Sequence, residues 1–149
     1  MSGEPPLIYL DTSVFLAYFK GENGRVEDCQ AVLREAEAGQ IRALSSVLTL
    51  AEACRGNSMI DEQLQRIDAF FEHSWLRVVV LDRRIAIKAR KLAREYKLKP
   101  PDAIHLATAI VYGAQCFYTY DKDDLLRFDQ IEGVRIMEPT PLNAQLVLK

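Results

Sequence analysis

Apolar residues along the chain fall into short continuous runs that alternate with stretches of helical periodicity. Continuous apolar runs bounded by polar residues favour strands that are buried on both faces of a sheet. Five such runs cover residues 7–10, 41–44, 76–81, 116–119 and 134–137. Between them, apolar residues spaced by three or four predict helices. These cover a segment starting just after residue 10, then 26–36, 47–55, a helix opened by Ser58, 85–96, 103–111 and a short helical turn at 122–127.

This alternation of strands and helices predicts the architecture. Parallel strands joined through helices by right-handed crossovers form an open sheet with helices on both faces. We therefore expect one domain over residues 1–149, with a three-layer α/β/α fold and a parallel sheet of about five strands. In such sheets, ligands bind beyond the carboxyl ends of the strands, so the residues at that edge are the candidates for function.

The composition excludes several classes of protein. Hydrophobic residues make up 49% of the 149 positions and charged residues 27%, which is typical of a globular domain and argues against disorder or a fibre. The apolar stretch 7–19 is interrupted by Asp11 and lacks a basic start, so we expect neither a signal peptide nor a membrane span, and a cytoplasmic protein. Cys29, Cys54 and Cys116 are widely spaced in apolar segments, which favours reduced core thiols over disulfides or a zinc site.

Four acidic residues fall at or near the functional edge of the predicted sheet. Asp11 ends the first strand, Asp102 opens the helix that leads to the fourth strand, and Asp121 follows that strand. Glu52 lies on the helix after the second strand and joins the others only if this helix crosses the mouth of the sheet. Each Asp has an alternative explanation as a helix cap, a first-turn acid or a turn residue. Capping gives no reason for a buried Glu52, so the set favours a shared site.

Several carboxylates in one pocket repel each other, and without compensation some of them take up protons. A divalent cation removes this conflict. Oxygen ligands of this kind select Mg²⁺ or Mn²⁺ over zinc. The chemistry that we expect from such a site is hydrolysis of a phosphodiester bond with one or two metal ions.

Four segments of the chain, in this order and spacing, resemble the PIN domain family. They are Asp11-Thr12-Ser13 after an apolar strand, the helix with Glu52, the stretch PDAIHLATA at 101–109, and Thr119-Tyr120-Asp121 followed by Asp124. The resemblance spans nearly the whole chain. It implies a five-stranded parallel sheet and a Mg²⁺- or Mn²⁺-dependent endoribonuclease, often a homodimer. Short chains of this family are similar to VapC-type toxins of toxin–antitoxin systems, which a VapB-type antitoxin restrains.

The resemblance also implies roles for individual residues. The metal-binding catalytic acids would be Asp11, Glu52, Asp102 and Asp121, and the supporting residues would be Thr12, Ser13, Thr119 and Asp124. The residues alone do not rank Asp121 against Asp124 as the fourth acid. We assign Asp123 to the solvent.

The helix expected at 85–96 has a strongly basic outer face. Residues 83–99 include eight basic side chains and one acid, although the net charge of the chain is -2. Charged outer faces are usually only solvated. An RNA substrate, however, needs cationic side chains for its phosphates. The candidate RNA-binding residues are Arg83, Lys88, Arg90, Lys91 and Arg94.

Other functions and one further residue stay open from the sequence. His105 shares a helix stripe with Asp102, but on a helix this apolar a buried, hydrogen-bonded histidine is more common than a zinc ligand or a base. We therefore leave it out of the catalytic set. One alternative function is a receiver-like α/β domain with a phosphoaccepting Asp, for which the usual paired acids and lysine are not evident. Another is an inactive PIN-like module that binds RNA or protein.

Overall fold

The computed structural model describes residues 3–53 and 60–142. Within these ranges the strands are β1 (Leu7–Leu10), β2 (Arg42–Ser46), β3 (Leu76–Val79), β4 (Cys116–Tyr118), β5 (Gln130–Ile131) and β6 (Val134–Met137). The helices are α1 (Thr12–Lys20), α2 (Val26–Glu37), α3 (Leu48–Glu52), α4 (Asp61–Phe70), α5 (Arg83–Tyr96) and α6 (Pro100–Val111). The predicted alternation of strands and helices is confirmed.

Strand β1 lies inside the sheet, whose order is β3-β2-β1-β4-β6-β5. It pairs in parallel with β2 and β4, so that Ile8 lies opposite Ala43 on one side and Cys116 on the other. Strands β3 and β6 extend the parallel sheet in both directions. Five strands are therefore parallel, as predicted, and their carboxyl ends meet at one edge.

Alternate residues of β1 pack against opposite layers of helices. Ile8 and Leu10 belong to a core with residues of α1, α2 and α4, whereas Leu7 and Tyr9 pack with residues of α5 and α6. Successive side chains of a strand point to opposite faces, so a fully buried strand contributes to both cores. The three-layer α/β/α arrangement is thus confirmed.

The sheet has one more strand than predicted. Strands β5 and β6 form an antiparallel hairpin, and its turn residues Glu132 and Gly133 have φ of 49° and 84°. Positive φ at both turn positions matches the right-handed twist of a hairpin, but a glutamate rarely adopts it, so the sequence carries no clear turn signal here. Residues 122–127 form hydrogen-bonded turns where a short helical turn is predicted.

Several element boundaries differ from the prediction. Strand β2 continues to Ser46, whose Oγ accepts a hydrogen bond of 3.1 Å from the Leu48 N–H, so this serine supports the start of α3 from the end of a strand. Strand β3 ends at Val79, two residues early, because the next two side chains are exposed. Helix α3 ends at Glu52. The predicted end of this helix at residue 55 and the helix start at Ser58 lie outside the described residues.

Cys29 and Cys116 are buried free thiols, as predicted, while Cys54 lies outside the described residues. Burial raises the pKa of the Cys29 thiol to about 11, which keeps it protonated. Across residues 3–53 and 60–142, the helices are too short or too polar to cross a membrane.

Candidate functional site

A cleft of about 320 Å³ opens at the carboxyl edge of the parallel strands. Its lining residues are Asp11, Thr12, Ser13, Leu16, Glu52, Lys99, Pro101, Asp102, Asp121 and Asp123. The four acids expected from the sequence therefore meet in one place. Glu52 is among them because α3 follows β2 directly and brings its last residue next to the start of α1.

Asp11 precedes α1 but does not cap this helix with its side chain. Its Oδ2 instead accepts hydrogen bonds from Thr119 Oγ1 at 2.8 Å and from Ser13 Oγ at 3.3 Å. The residue is only 5% exposed. The capping explanation is therefore wrong for Asp11, and the hydroxyl groups of two predicted supporting residues fix its carboxylate at the cleft.

Asp102, Asp121 and Asp124 form a cluster in which one carboxylate oxygen from each lies within 4.8 Å of the others. Asp121 Oδ1 accepts the N–H of Asp123 at 3.2 Å and that of Asp124 at 3.1 Å, so one oxygen shapes the turn. Oδ2 of Asp124 is buried and has no hydrogen-bond partner among the described residues. Such an oxygen is costly in a folded protein. A bound cation fits this cluster because it would satisfy the orphaned oxygen. Asp123 is exposed at the rim, as predicted.

Burial and neighbouring carboxyl groups raise the pKa of Asp102 from 3.8 to about 8. Burial is the largest cause, a side-chain hydrogen bond with Asp124 is the next, and the charges of Asp121, Asp11 and Asp124 add to them. Without a cation, Asp102 therefore keeps a proton at neutral pH. A divalent ion would displace this proton, because carboxylate ligands bind metal in their ionised form.

Glu52 enters the site from a buried hydrogen-bonded network. Its Oε1 accepts a hydrogen bond from Thr12 Oγ1 at 2.7 Å and lies 2.5 Å from His105 Nε2. His105 Nδ1 lies 2.5 Å from the hydroxyl of Tyr9, and Thr12 Oγ1 lies 3.0 Å from Thr49 Oγ1. The histidine is buried and hydrogen-bonded, as predicted. Its contact with Glu52 was not predicted, because that contact joins helices that are distant in the chain.

Two supporting hydroxyl groups also join the ends of β1 and β4. Ser13 Oγ accepts the N–H of Tyr120 at 3.0 Å, and Thr119 Oγ1 accepts the N–H of Asp121 at 3.0 Å. The same hydroxyls donate to Asp11. Ser13 and Thr119 thus hold the first acid and the start of the Asp121 turn in a fixed relation.

The basic face of α5 divides into two parts. Arg83, Lys88 and Lys91 line a groove of about 630 Å³ that reaches Val111, at the far end of α6 from the acids. With a helical rise of about 1.5 Å per residue, Val111 lies roughly 13 Å along α6 from Asp102. Although it is larger, this groove is lined by no carboxylate of the described residues, and it lies away from the acidic cleft.

Arg90 and Arg94 border a smaller groove beside Pro100 and Ile104, at the end of α6 that leads into the cleft. Lys99 borders the acidic cleft itself. Sequence reasoning missed Lys99, although its position directly before the proline pair that starts α6 was a usable signal. The basic side chains of Arg90, Arg94 and Lys99 therefore lie on the same side of the molecule as the acidic cleft.

The chain is similar to known proteins over most of its length. The sequence-family model of the PIN domain matches residues 8–133 of this chain. Ribonuclease VapC45 of Mycobacterium tuberculosis is 31% identical over 117 residues, which cover 72% of this chain and 78% of that protein. A toxin–antitoxin complex from Klebsiella pneumoniae contains a chain that is 29% identical, with a TM-score of 0.64, and the match covers 85% of this chain and 94% of that one.

The fold is also that of Mycobacterium tuberculosis VapC20, described as a toxin that cleaves the sarcin–ricin loop. That match has a TM-score of 0.67 at 19% identity and covers 86% of this chain and 98% of the other. The sequence match, the parallel sheet and the acids at its carboxyl edge agree with one another. The chain belongs to the PIN domain family.

Proposed function

We propose that this protein is a metal-dependent endoribonuclease that hydrolyses phosphodiester bonds of RNA, as the toxin of a type II toxin–antitoxin pair. The observation that carries the proposal is the convergence of Asp11, Asp102 and Asp121 in one cleft, where Asp102 and Asp121 also form a carboxylate cluster with Asp124. Relatives named as VapC ribonucleases support the same activity. Membership of the PIN domain family also argues against the receiver-like alternative.

The residues of the cleft fit Mg²⁺ or Mn²⁺. Their donors are carboxylate oxygens, which these hard cations prefer. The orphaned Oδ2 of Asp124 and the proton retained on Asp102 both indicate that positive charge is needed at this point. When bound, such an ion would activate water and neutralise charge that develops on the phosphate.

The protein's own side chains would orient the reaction. Ser13 and Thr119 hold Asp11, and Thr12 holds Glu52, so that the carboxylates keep their places when the substrate arrives. Lys99 at the rim, with Arg90 and Arg94 along the adjacent groove, would hold RNA phosphates against the cleft. Lys88 is less suited to this role, because both oxygens of Glu132 bind its ammonium group at 2.6 and 2.8 Å.

Cleavage assays test the activity directly. We expect the wild type to cut one of transfer, ribosomal or messenger RNA, to lose activity in EDTA and to leave 5′-phosphate and 3′-hydroxyl ends. Asp11→Asn should lose activity, whereas Asp68→Asn, the same change at an exposed position of α4, should not. Products with 2′,3′-cyclic phosphate would exclude the mechanism, because they arise from attack by the RNA itself.

Metal binding separates an enzyme from an inactive module of the same family. Isothermal titration with Mn²⁺ should show binding to the wild type and much weaker binding to Asp102→Asn. A wild type that takes up no Mn²⁺ and cuts no RNA would favour the inactive PIN-like module.

The partner that we propose is a VapB-type antitoxin, since structures similar to this chain include toxin–antitoxin complexes. We also expect a homodimer, and action in the cytoplasm, where the RNA substrates are. Co-expression with the antitoxin should relieve growth arrest caused by the wild type. Light scattering at micromolar concentration that shows only monomer would count against the dimer.

A further inference from the structure

A buried tyrosine and a buried histidine connect the middle of the sheet to Glu52. Tyr9 lies on β1 with its ring stacked on Phe117, at 5.0 Å between ring centroids, and is fully buried. His105 lies on α6 and is 1% exposed. Its Nδ1 contacts the Tyr9 hydroxyl, and its Nε2 contacts Glu52 Oε1, each at 2.5 Å. Both ring nitrogens therefore have partners, and Thr12 Oγ1 of α1 also lies 3.2 Å from Nε2.

The donor and acceptor in each of these two hydrogen bonds can be assigned from the protons that the three side chains carry. An ionised Glu52 can only accept, so the donor in its bond with His105 is Nε2–H. A neutral imidazole then has its acceptor at Nδ1. The Tyr9 hydroxyl lies 2.5 Å from Nδ1 and can donate its proton to that acceptor.

We propose that His105 is a positioning residue for Glu52 and that Tyr9 supports its Nε2–H tautomer by donating to Nδ1, so that the central strand helps to orient a carboxylate of the metal centre. The proposal rests on the proposed function, because the orientation of Glu52 matters for catalysis only if the cleft binds metal and RNA. Thr12 gives the same Oε1 a second donor at 2.7 Å. Two donors on one oxygen define the plane of the carboxylate, whereas one donor leaves it free to rotate.

The tautomer can be measured without any activity. In the metal-free wild type, ¹⁵N NMR of the His105 ring should show a proton on Nε2 and a bare, hydrogen-bonded Nδ1. Tyr9→Phe, which keeps the stacked ring, should leave the proton on Nε2, because Glu52 still accepts it, and should move the Nδ1 signal to that of a nitrogen without a hydrogen bond. An Nδ1 signal that Tyr9→Phe leaves unchanged would overturn the role of Tyr9. Tyr118→Phe is the matched control, since this buried tyrosine of β4 donates to the Thr140 carbonyl at 3.0 Å and should leave the His105 signals unchanged. A wild type with its ring proton on Nδ1 would overturn the proposal.

Two substitutions of His105 distinguish positioning from packing. The amide nitrogen of His105→Gln reaches the place of Nε2 and can still donate to Glu52, whereas that of His105→Asn reaches only the place of Nδ1. We expect His105→Asn to lower kcat roughly 10- to 100-fold with KM unchanged, as for other residues that orient metal ligands. His105→Gln should keep most of the activity. Equal losses in both variants, or no loss in either, would overturn the positioning role.

The outcomes also separate this proposal from the proposed function. If the wild type cleaves RNA in an EDTA-sensitive way while His105→Asn matches it in kcat, only the positioning role fails. If the wild type cleaves no RNA and binds no Mn²⁺, the proposed function fails, and the NMR measurement still decides whether Tyr9 donates a hydrogen bond to Nδ1 of the histidine.

Discussion

Replacing Asp102 by Asn should make the metal-free protein less sensitive to alkaline pH. The pKa of Asp102 is about 8 in the folded protein and close to 3.8 in an unfolded chain. The folded state therefore binds this proton more tightly, and the stability that it contributes is present at low pH and is lost as the pH rises toward 8. Asp102→Asn carries no titrating group and should not show this loss.

The magnitude follows from the pKa difference. One pKa unit corresponds to about 1.4 kcal/mol, so the two units between pH 6 and the folded pKa give about 2.7 kcal/mol. Asp102 is only partly buried, and solvent screening reduces this to about 1–2 kcal/mol. For a chain of this size, that is a fall in Tm of about 3–6 °C between pH 6 and pH 9 in EDTA.

Thermal unfolding by circular dichroism in EDTA, at pH 6 and pH 9, tests the prediction. The quantity to compare is the change in Tm of the wild type minus that of Asp102→Asn. Asp68→Asn should behave as the wild type does, and saturating Mg²⁺ should abolish the extra loss because the ion replaces the proton. If the wild type and Asp102→Asn lose equal stability, the pKa of Asp102 is not raised in the folded protein, and the argument for a cation loses its main support.

Three further changes test other parts of the molecule. Phe15→Ala removes a fully buried ring of α1 and should lower the free energy of unfolding by about 3–5 kcal/mol in urea titrations; a loss below about 1 kcal/mol would contradict the core assignment. Arg90→Glu with Arg94→Glu should weaken RNA binding and flatten its salt dependence, and unchanged binding across salt would remove this helix from the footprint. Asp124→Asn should lower Mn²⁺ affinity by about tenfold or more in calorimetry, while unchanged affinity would exclude Asp124 as a ligand.

The layered fold could be predicted because its strands are fully buried. A run such as residues 7–10 has no polar face, and only a sheet covered on both sides by helices tolerates such a strand. The hairpin of β5 and β6 could not be predicted in the same way. Its first strand has two residues, and its turn depends on Glu132 in a conformation that the sequence does not favour.

The candidate site, like the fold, could be predicted only in part from the sequence. Asp11, Asp102 and Asp121 could be placed because each lies beside a strand end or a helix start that the pattern defines. The contact of Glu52 with His105 could not, since the two residues are 53 positions apart in the chain. The same holds for Tyr9, which contacts His105 across 96 positions. A hydrogen bond of that kind depends on how helices pack over the sheet, and one sequence carries no periodic signal for it.

The open choice between Asp121 and Asp124 has a physical cause in the turn that they share. Oδ1 of Asp121 accepts hydrogen bonds from the two backbone N–H groups of this turn, and the turn brings Asp124 into the cluster. Asp124 then carries the buried oxygen that has no partner among residues 3–53 and 60–142. The sequence shows two acids within one turn, but it does not show which carboxylate oxygens accept hydrogen bonds from the backbone. Because Asp121 shapes the turn that places Asp124, the two acids act as one unit. The sequence therefore cannot rank one of them above the other as the fourth acid.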